Sequence, residues 1–180
     1  MWSVVDGTRV TRTVRDETSG ALLPGALDAT SLTAAGVITA LHLSPDGIRV
    51  AAVAGGRVVV GAVVRDAAGG ARVGSVQVLR PESLSGVLDV GWTRTDQIVA
   101  VGARSEQPIA FVSVDGLDLD AGPTTNLTPP VTTVAAAPGR PLVVVDQSGV
   151  WTLPSGGSTG SDVWRSVPGA SASAVPAYPG

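Results

Sequence analysis

A phrase recurs along this chain. Val37-Ile38-Thr39-Ala40-Leu41-His42-Leu43-Ser44-Pro45-Asp46-Gly47 opens one run of short apolar segments. Val87-Leu88-Asp89-Val90-Gly91-Trp92-Thr93-Arg94-Thr95-Asp96 opens a second, and Val131-Thr132-Thr133-Val134-Ala135-Ala136-Ala137-Pro138-Gly139-Arg140 a third. The starts lie 50 and 44 residues apart, close to the roughly 40–50 residues of a four-stranded propeller blade. A β unit of that length cannot bury both of its faces alone and must stack on neighbours. The repeat therefore predicts a scaffold that presents turns at its rims.

Each unit reads as strands joined by tight turns. In the first, 38–43 leads into Ser44-Pro45-Asp46-Gly47, where Pro fixes φ, Asp bonds backbone amides and Gly accepts a positive φ. Segments 48–53, 57–65 and 73–79 follow, divided by Gly55-Gly56 and Gly69-Gly70. The second unit has 88–92, 98–102 and 108–114, the last closing at Asp115-Gly116. The third has 131–135, 141–145 and 150–153, a Gly/Ser stretch over 155–161 and an outer strand over 163–167, with one more short strand predicted over 174–178. Ahead of them, 2–5 and 8–14 around Asp6-Gly7 predict a hairpin, and 16–36 a connection with room for an outer strand. No segment has a helical period of useful length.

The predicted fold is all-β, a partial (incomplete) propeller of about three four-stranded blades plus a remnant of a preceding one. Residues 1–36 form the remnant and connection, and 37–86, 87–130 and 131–180 the blades. Three blades are fewer than the roughly four to eight that close a ring, so further blades are expected upstream. Open sheet edges favour pairing, and self-association through the first hairpin or through 174–178 is expected.

Composition removes several functions. Net charge is −3, and the 12 basic residues, all Arg, are scattered; a nucleic-acid partner needs a concentrated basic stripe. The chain has no Cys, hence no disulfide, thiol nucleophile or thiolate metal site. It contains no run of about 18 apolar residues and no basic-then-apolar signal segment.

Candidate sites are few. His42, the only histidine, stands between two leucines without the further ligands a metal needs or a nucleophile partner, and reads as structural or channel-lining, with a pH-sensitive contact as the functional alternative. The carboxylates of Asp115, Asp118 and Asp120 lie close together, three and two residues apart, which could suggest calcium, but the segment lacks the glycine placement and distal glutamate of an EF-hand loop and reads as a solvated loop. Asn126-Leu127-Thr128 matches a glycosylation acceptor and is given little weight. Neither Gly-Gly pair precedes a helix, as a phosphate cradle requires. No catalytic residue, cofactor or metal is expected.

Of the four tryptophans, Trp92 and Trp151 fall inside strands and read as packing between blades. Trp2 and Trp164 are the candidates for interface anchors, because exposed tryptophans dominate binding energies. Arg94 and Asp118, on the 93–97 and 115–123 turns, are the charged residues expected to meet a partner at the same rim as turn 44–47. The competing reading, a carbohydrate- or peptidoglycan-binding propeller or a channel lyase, calls for several acidic, Tyr, His or Arg residues on the inner strands. Those strands offer mainly Ala, Val and Leu, with Asp89 and His42.

The run Leu43-Ser44-Pro45-Asp46-Gly47-Ile48-Arg49-Val50-Ala51 followed by Arg57-Val58-Val59-Val60-Gly61-Ala62-Val63-Val64-Arg65 resembles the propeller domain of the actinobacterial LpqB lipoproteins. The second blade from Val87 to Gly116 and the terminal Pro176-Ala177-Tyr178-Pro179-Gly180 are similar to it as well, so the resemblance covers nearly the whole chain. It implies a lipid-anchored protein on the outer side of the cytoplasmic membrane, with a sporulation-type GerMN domain ahead of the propeller. It further implies a modulator of the Mtr two-component system that contacts the extracytoplasmic domain of its sensor histidine kinase, with no catalytic residues to carry over. The lipid anchor would lie outside this chain.

Overall fold

A computed structural model describes residues 2–5, 9–15, 22–28, 30–67, 70–79, 85–104, 108–115, 119–121, 126–154 and 163–170. The strands are β1 (Trp2–Val5), β2 (Arg9–Arg15), β3 (Leu22–Asp28), β4 (Ile38–Leu43), β5 (Arg49–Ala54), β6 (Arg57–Arg65), β7 (Ala71–Leu79), β8 (Ser85–Trp92), β9 (Gln97–Arg104), β10 (Ile109–Ser113), β11 (Leu119–Ala121), β12 (Thr133–Ala135), β13 (Leu142–Asp146), β14 (Gly149–Leu153) and β15 (Arg165–Ser166), with one short helix, α1 (Thr30–Thr33).

Three sheets follow one another along the chain. In the first, β4, β5, β6 and β7 lie side by side in order; β8 to β11 form the second and β12 to β15 the third. Every pairing inside these four-stranded sets is antiparallel, as tight turns between consecutive strands require. The architecture is a partial propeller of three blades. Each predicted inner strand, β4, β8 and β12, stands at the edge of its sheet.

The N-terminal strands, read from sequence as the remnant of a preceding blade, join the first one. β1, β2 and β3 pair in series, and Leu27 and Asp28 of β3 run parallel to Ala71 and Arg72 of β7. The first sheet thus has seven strands. Turn residues 6–8 and the predicted strand 174–178 lie outside the described residues.

Why the blades stack is visible in their second strands. Side chains alternate between the two faces of a strand, and here both faces are apolar. On β5, Ala51 and Val53 pack with Val90 and Trp92 of the second blade, while Val50, Ala52 and Ala54 face the other way and pack with Leu32 of α1. On β9, Ile98 and Ala100 meet the first blade, and Val99 and Val101 pack with Val134, Leu142 and Val144 of the third. On β13, Val143 and Val145 face away from the second blade and pack with Val150, Val167 and Ala170. A strand buried on both faces has no polar side to show, which explains the continuous apolar runs in the sequence.

The inner strands approach closely because Gly91 has no side chain. A Cβ built there lies 2.9 Å from Ala136 Cβ, nearer than two carbons tolerate. Gly91→Val should therefore destabilise the chain by about 1–3 kcal/mol through overpacking, lowering its Tm by roughly 2–4 °C per kcal/mol for a domain of this size. Urea and thermal unfolding check this, and an unchanged midpoint would refute the close approach.

Candidate interaction surface

Contacts between blades show that the inner strands run in the same direction. The Trp92 indole N–H, at the end of β8, donates to the carbonyl of His42 near the end of β4 at 3.0 Å. At the opposite end, the amide of Val87 donates to Gly56 O at 3.0 Å, and that of Val131 to Gly102 O at 3.2 Å. The turns that follow β4, β8 and β12 therefore emerge at one rim, spanning 44–48, 93–96 and 136–141. Asp66, Gly70 and residues 114–115, next to the ends of outer strands, lie at this rim too. Turns 55–56 and 147–148 and the segment 126–132 lie at the other.

The first rim turn is held by its own side chains. Ser44 is 4% exposed; its hydroxyl donates to Asp46 Oδ1 and accepts from the Arg49 amide at 2.9 Å. Asp46 Oδ1 also accepts from the Ile48 amide at 3.1 Å, and Gly47 takes the positive φ of 70° that the turn predicts. The Ser44 hydroxyl, then the Ile48 amide, hold the Asp46 carboxyl below the ordinary carboxylate range.

The second turn is built differently. Thr93 donates its amide to Gln97 O at 3.1 Å and its hydroxyl to Gln97 Oε1 at 2.9 Å. Arg94 projects outward and pairs with Asp96 at 3.1 Å, both side chains more than half exposed; such a pair contributes little to stability. Arg49 joins the two turns: its guanidinium donates to Thr95 O of the next blade at 3.2 Å. Sequence reasoning missed this residue, since a contact between positions 46 residues apart leaves no local signal. On the third turn Arg140 is exposed.

The other predicted site residues distribute as follows. Trp2 lies in β1 opposite Arg12. Trp164, expected as a surface anchor, is instead 2% exposed and packs in the core between the second and third blades with Phe111 and Leu153. Its place after a Gly/Ser stretch concealed that it covers a blade. Asp118 lies outside the described residues. Asp115 accepts from the Ser113 hydroxyl, and Asp120, read as part of a loop, belongs to β11 opposite Phe111. Among the described residues no group of three or more His, Cys, Asp or Glu could hold a metal, and no helix is long and apolar enough to cross a membrane.

Trp92 and Trp151 behave as the sequence predicts. Trp92 is buried between blades, and Trp151 is half-buried and donates to Asp146 Oδ1 at 3.0 Å. Two carboxylates at blade junctions were not assigned a role from sequence. Asp89 accepts from the Val134 amide of the third blade through Oδ2 at 2.9 Å and has the His42 Nε2 of the first blade 3.7 Å from Oδ1. Asp146 is 6% exposed and anchors the opposite rim. Its Oδ2 accepts from the Thr128 amide at 2.6 Å, and Oδ1 from the amides of Ser148 and Gly149 at 2.7 and 2.9 Å.

A family model described as the lipoprotein LpqB β-propeller domain matches residues 1–179. This chain belongs to that family. Lipoprotein LpqB of Rhodococcus opacus is 34% identical over 182 residues, which is 100% of this chain and 30% of that protein. Lipoprotein LpqB of Mycolicibacterium paratuberculosis is 34% identical over 183 residues, 100% of this chain and 31% of that protein. The chain thus spans about a third of the length of these relatives. Among solved structures, a chain of the nidogen/laminin complex superposes with a TM-score of 0.58 at 14% identity, over 88% of this chain and 57% of that one. At that identity the likeness concerns the fold alone. The family's lipid-anchored, extracytoplasmic location agrees with the resemblance read from the blade motifs.

Asp146 carries a testable consequence. Burial alone would raise its pKa, but the Ser148 hydroxyl, the amides of Thr128 and Ser148 and the Trp151 indole outweigh that and hold it below the ordinary carboxylate range. A depressed folded-state pKa gives stability that is present above the unfolded value of about 3.9 and lost as pH falls through the folded one. Asp146→Asn should cost about 1–3 kcal/mol at pH 6, and its deficit against the wild type should shrink as pH drops toward 3. Urea unfolding at the two pH values measures it; an equal deficit at both would remove the ionised carboxylate from the explanation.

Proposed function

We propose that this chain is the partner-binding propeller of a non-enzymatic, lipid-anchored envelope protein, and that its partner is the extracytoplasmic domain of the sensor histidine kinase of the Mtr two-component system, whose signalling it modulates. The observation that carries the reading is the single rim at which turns 44–48, 93–96 and 136–141 converge, two of them joined by the Arg49–Thr95 hydrogen bond. A surface assembled from turns on a rigid scaffold is a common form of protein recognition site. Arginine is favoured at such contacts because its fork of donors serves carboxylates and carbonyls alike. Membership of a lipoprotein family supports the setting, and the resemblance supplies the identity of the partner. Trp2 and Asp118 remain proposed contributors, and Arg94 is the rim residue on which the test rests.

The complete lipoprotein should be retained on the immobilised extracytoplasmic domain of the kinase. The double variant Arg94→Glu/Arg140→Glu, which touches no buried group, should weaken that binding by about 5–30-fold, equivalent to roughly 1–2 kcal/mol, with an unchanged Tm. Absence of retention by the intact protein would refute the partner. Retention unaffected by the charge reversals would move the contact off this rim. Retention on cell-wall glycan fragments but not on the kinase domain would establish the carbohydrate-binding alternative.

A further inference from the structure

The three repeats begin at Val37, Val87 and Val131, and the first differs from the other two. Val87 and Val131 are 4% and 0% exposed, each packed with residues of the blade before it, whereas Val37 is 78% exposed. The amides of Val87 and Val131 donate to Gly56 O and Gly102 O of that preceding blade; the amide of Val37 has no such acceptor among the described residues. The difference continues along the inner strands. On β8, Val90 and Trp92 are buried against Ala51 and Val53 of the first blade. On β4, Leu41 and Leu43 point to the matching side and are only partly buried. Beside them on β5, Val50 and Ala52 take the positions that Ile98 and Ala100 hold on β9. The second blade therefore shows what a face of this kind receives. Blades meet mainly along their inner strands, β8 lying against β4 and β5, and β12 against β8. The helix α1 lies farther out, over β7 and β5, where Leu32 closes the centre of the face and the Ser31 hydroxyl bonds Val73 O.

We propose that the border formed by Val37, Leu41 and Leu43 is the docking surface for one further blade of the same lipoprotein, supplied by sequence outside this chain. Such an interface continues one already present, with aliphatic side chains in the same places. The length exists: this chain covers 30% of the Rhodococcus opacus protein, and a blade takes only about 40–50 residues. A second copy of this chain fits less well, because the complementary surface is the face a blade turns to its successor, and all three are in use. Ala51 and Val53 pack on the second blade, Val99 and Val101 on the third, and Val143 and Val145 on Val167 and Ala170. The incoming blade must offer small or branched residues at alternate positions of its second strand, as β5 does with Ala51 and Val53. It must also bring a carbonyl near the end of that strand to the Val37 amide. Docked in this way, it places its own first turn beside 44–48 and lengthens the rim.

The complete lipoprotein tests this without the kinase, so failure of the docking surface and failure of the rim assignment are separable. Val37→Cys should react with a maleimide at least about tenfold more slowly in the native protein than in urea, as a thiol reached only by local opening does. Comparable rates would overturn the proposal. Slow labelling that quickens on dilution would give the face to a second copy and overturn it as well. The unsubstituted protein provides an independent reading. In hydrogen exchange the Val37 amide should be protected like those of Val87 and Val131, and rapid exchange at Val37 alone would overturn the blade register. Should the cysteine variant fail to fold, the exchange comparison decides alone.

Discussion

The whole arrangement depends on strands that have no solvent face. β5, β9 and β13 each send alternate side chains to two different neighbours, and the residues concerned are Val, Ile, Leu and Ala at or below a tenth exposed. Burying a side chain of the larger of these types contributes about 1.5–3 kcal/mol, but only if both neighbours are present. A blade in isolation would hold neither face. The end faces obey the same constraint with other material: Leu32 of α1, fully buried, seals the first blade, and Val167 and Ala170 pack on the third. A helix of four residues is too short to persist on its own, so its place here comes from Leu32 and from the hydrogen bond of the Ser31 hydroxyl to Val73 O at 2.8 Å.

Apolar contact is non-directional and does not by itself fix the angle between blades. Directional groups at the inner strands do so. The Trp92–His42 bond, the amide of Val87 on Gly56 and the amide of Val131 on Gly102 each tie an inner strand, or the residues leading into it, to a fixed point on the blade before it. Asp89 adds a carboxylate whose oxygens reach in two directions. Among the described residues no buried side-chain nitrogen or oxygen lacks a partner, as a junction in a low-dielectric setting demands. The register of the blades, and hence the relative position of the rim turns, is set by these few polar atoms.

Much of this was legible in the chain, for reasons that also mark where legibility ends. The strands of the three blades, β11 excepted, followed from short apolar runs bounded by Pro, Asp and Gly, because turn chemistry is a local property. β3 was harder: Pro24 and Gly25 interrupt Leu22–Asp28, and both residues argue against a strand interior. It forms at the outer side of a blade, where only Leu27 and Asp28 must pair with β7. Trp164 was misplaced because burial is decided by what a segment folds back onto. Within the rim, Arg94 and the Ser44–Gly47 turn were visible. The pairs Arg49–Thr95, His42–Asp89 and Asp89–Val134 were not, since each joins positions more than 40 residues apart.

Faces and rims thus answer to different constraints, and this bears on how such a propeller can acquire a partner. A substitution on β9 disturbs one blade interface or the other, according to the face its side chain takes. A substitution at Arg94 or Arg140 disturbs none, because the turn conformation resides in backbone bonds such as Arg94 N to Gln97 O and Arg140 N to Ala137 O. The rim can therefore change its chemistry while its geometry stays constant. It is also ordered before any partner arrives. Ser44, Asp46 and Thr93 already hold their turns, so binding need not supply the ordering cost that a flexible loop incurs, roughly 0.5–1.5 kcal/mol for each immobilised side chain. A scaffold that withholds its apolar faces from solvent and offers prearranged polar turns is suited to selective recognition by a few exposed side chains, with the core left to hold those turns in register.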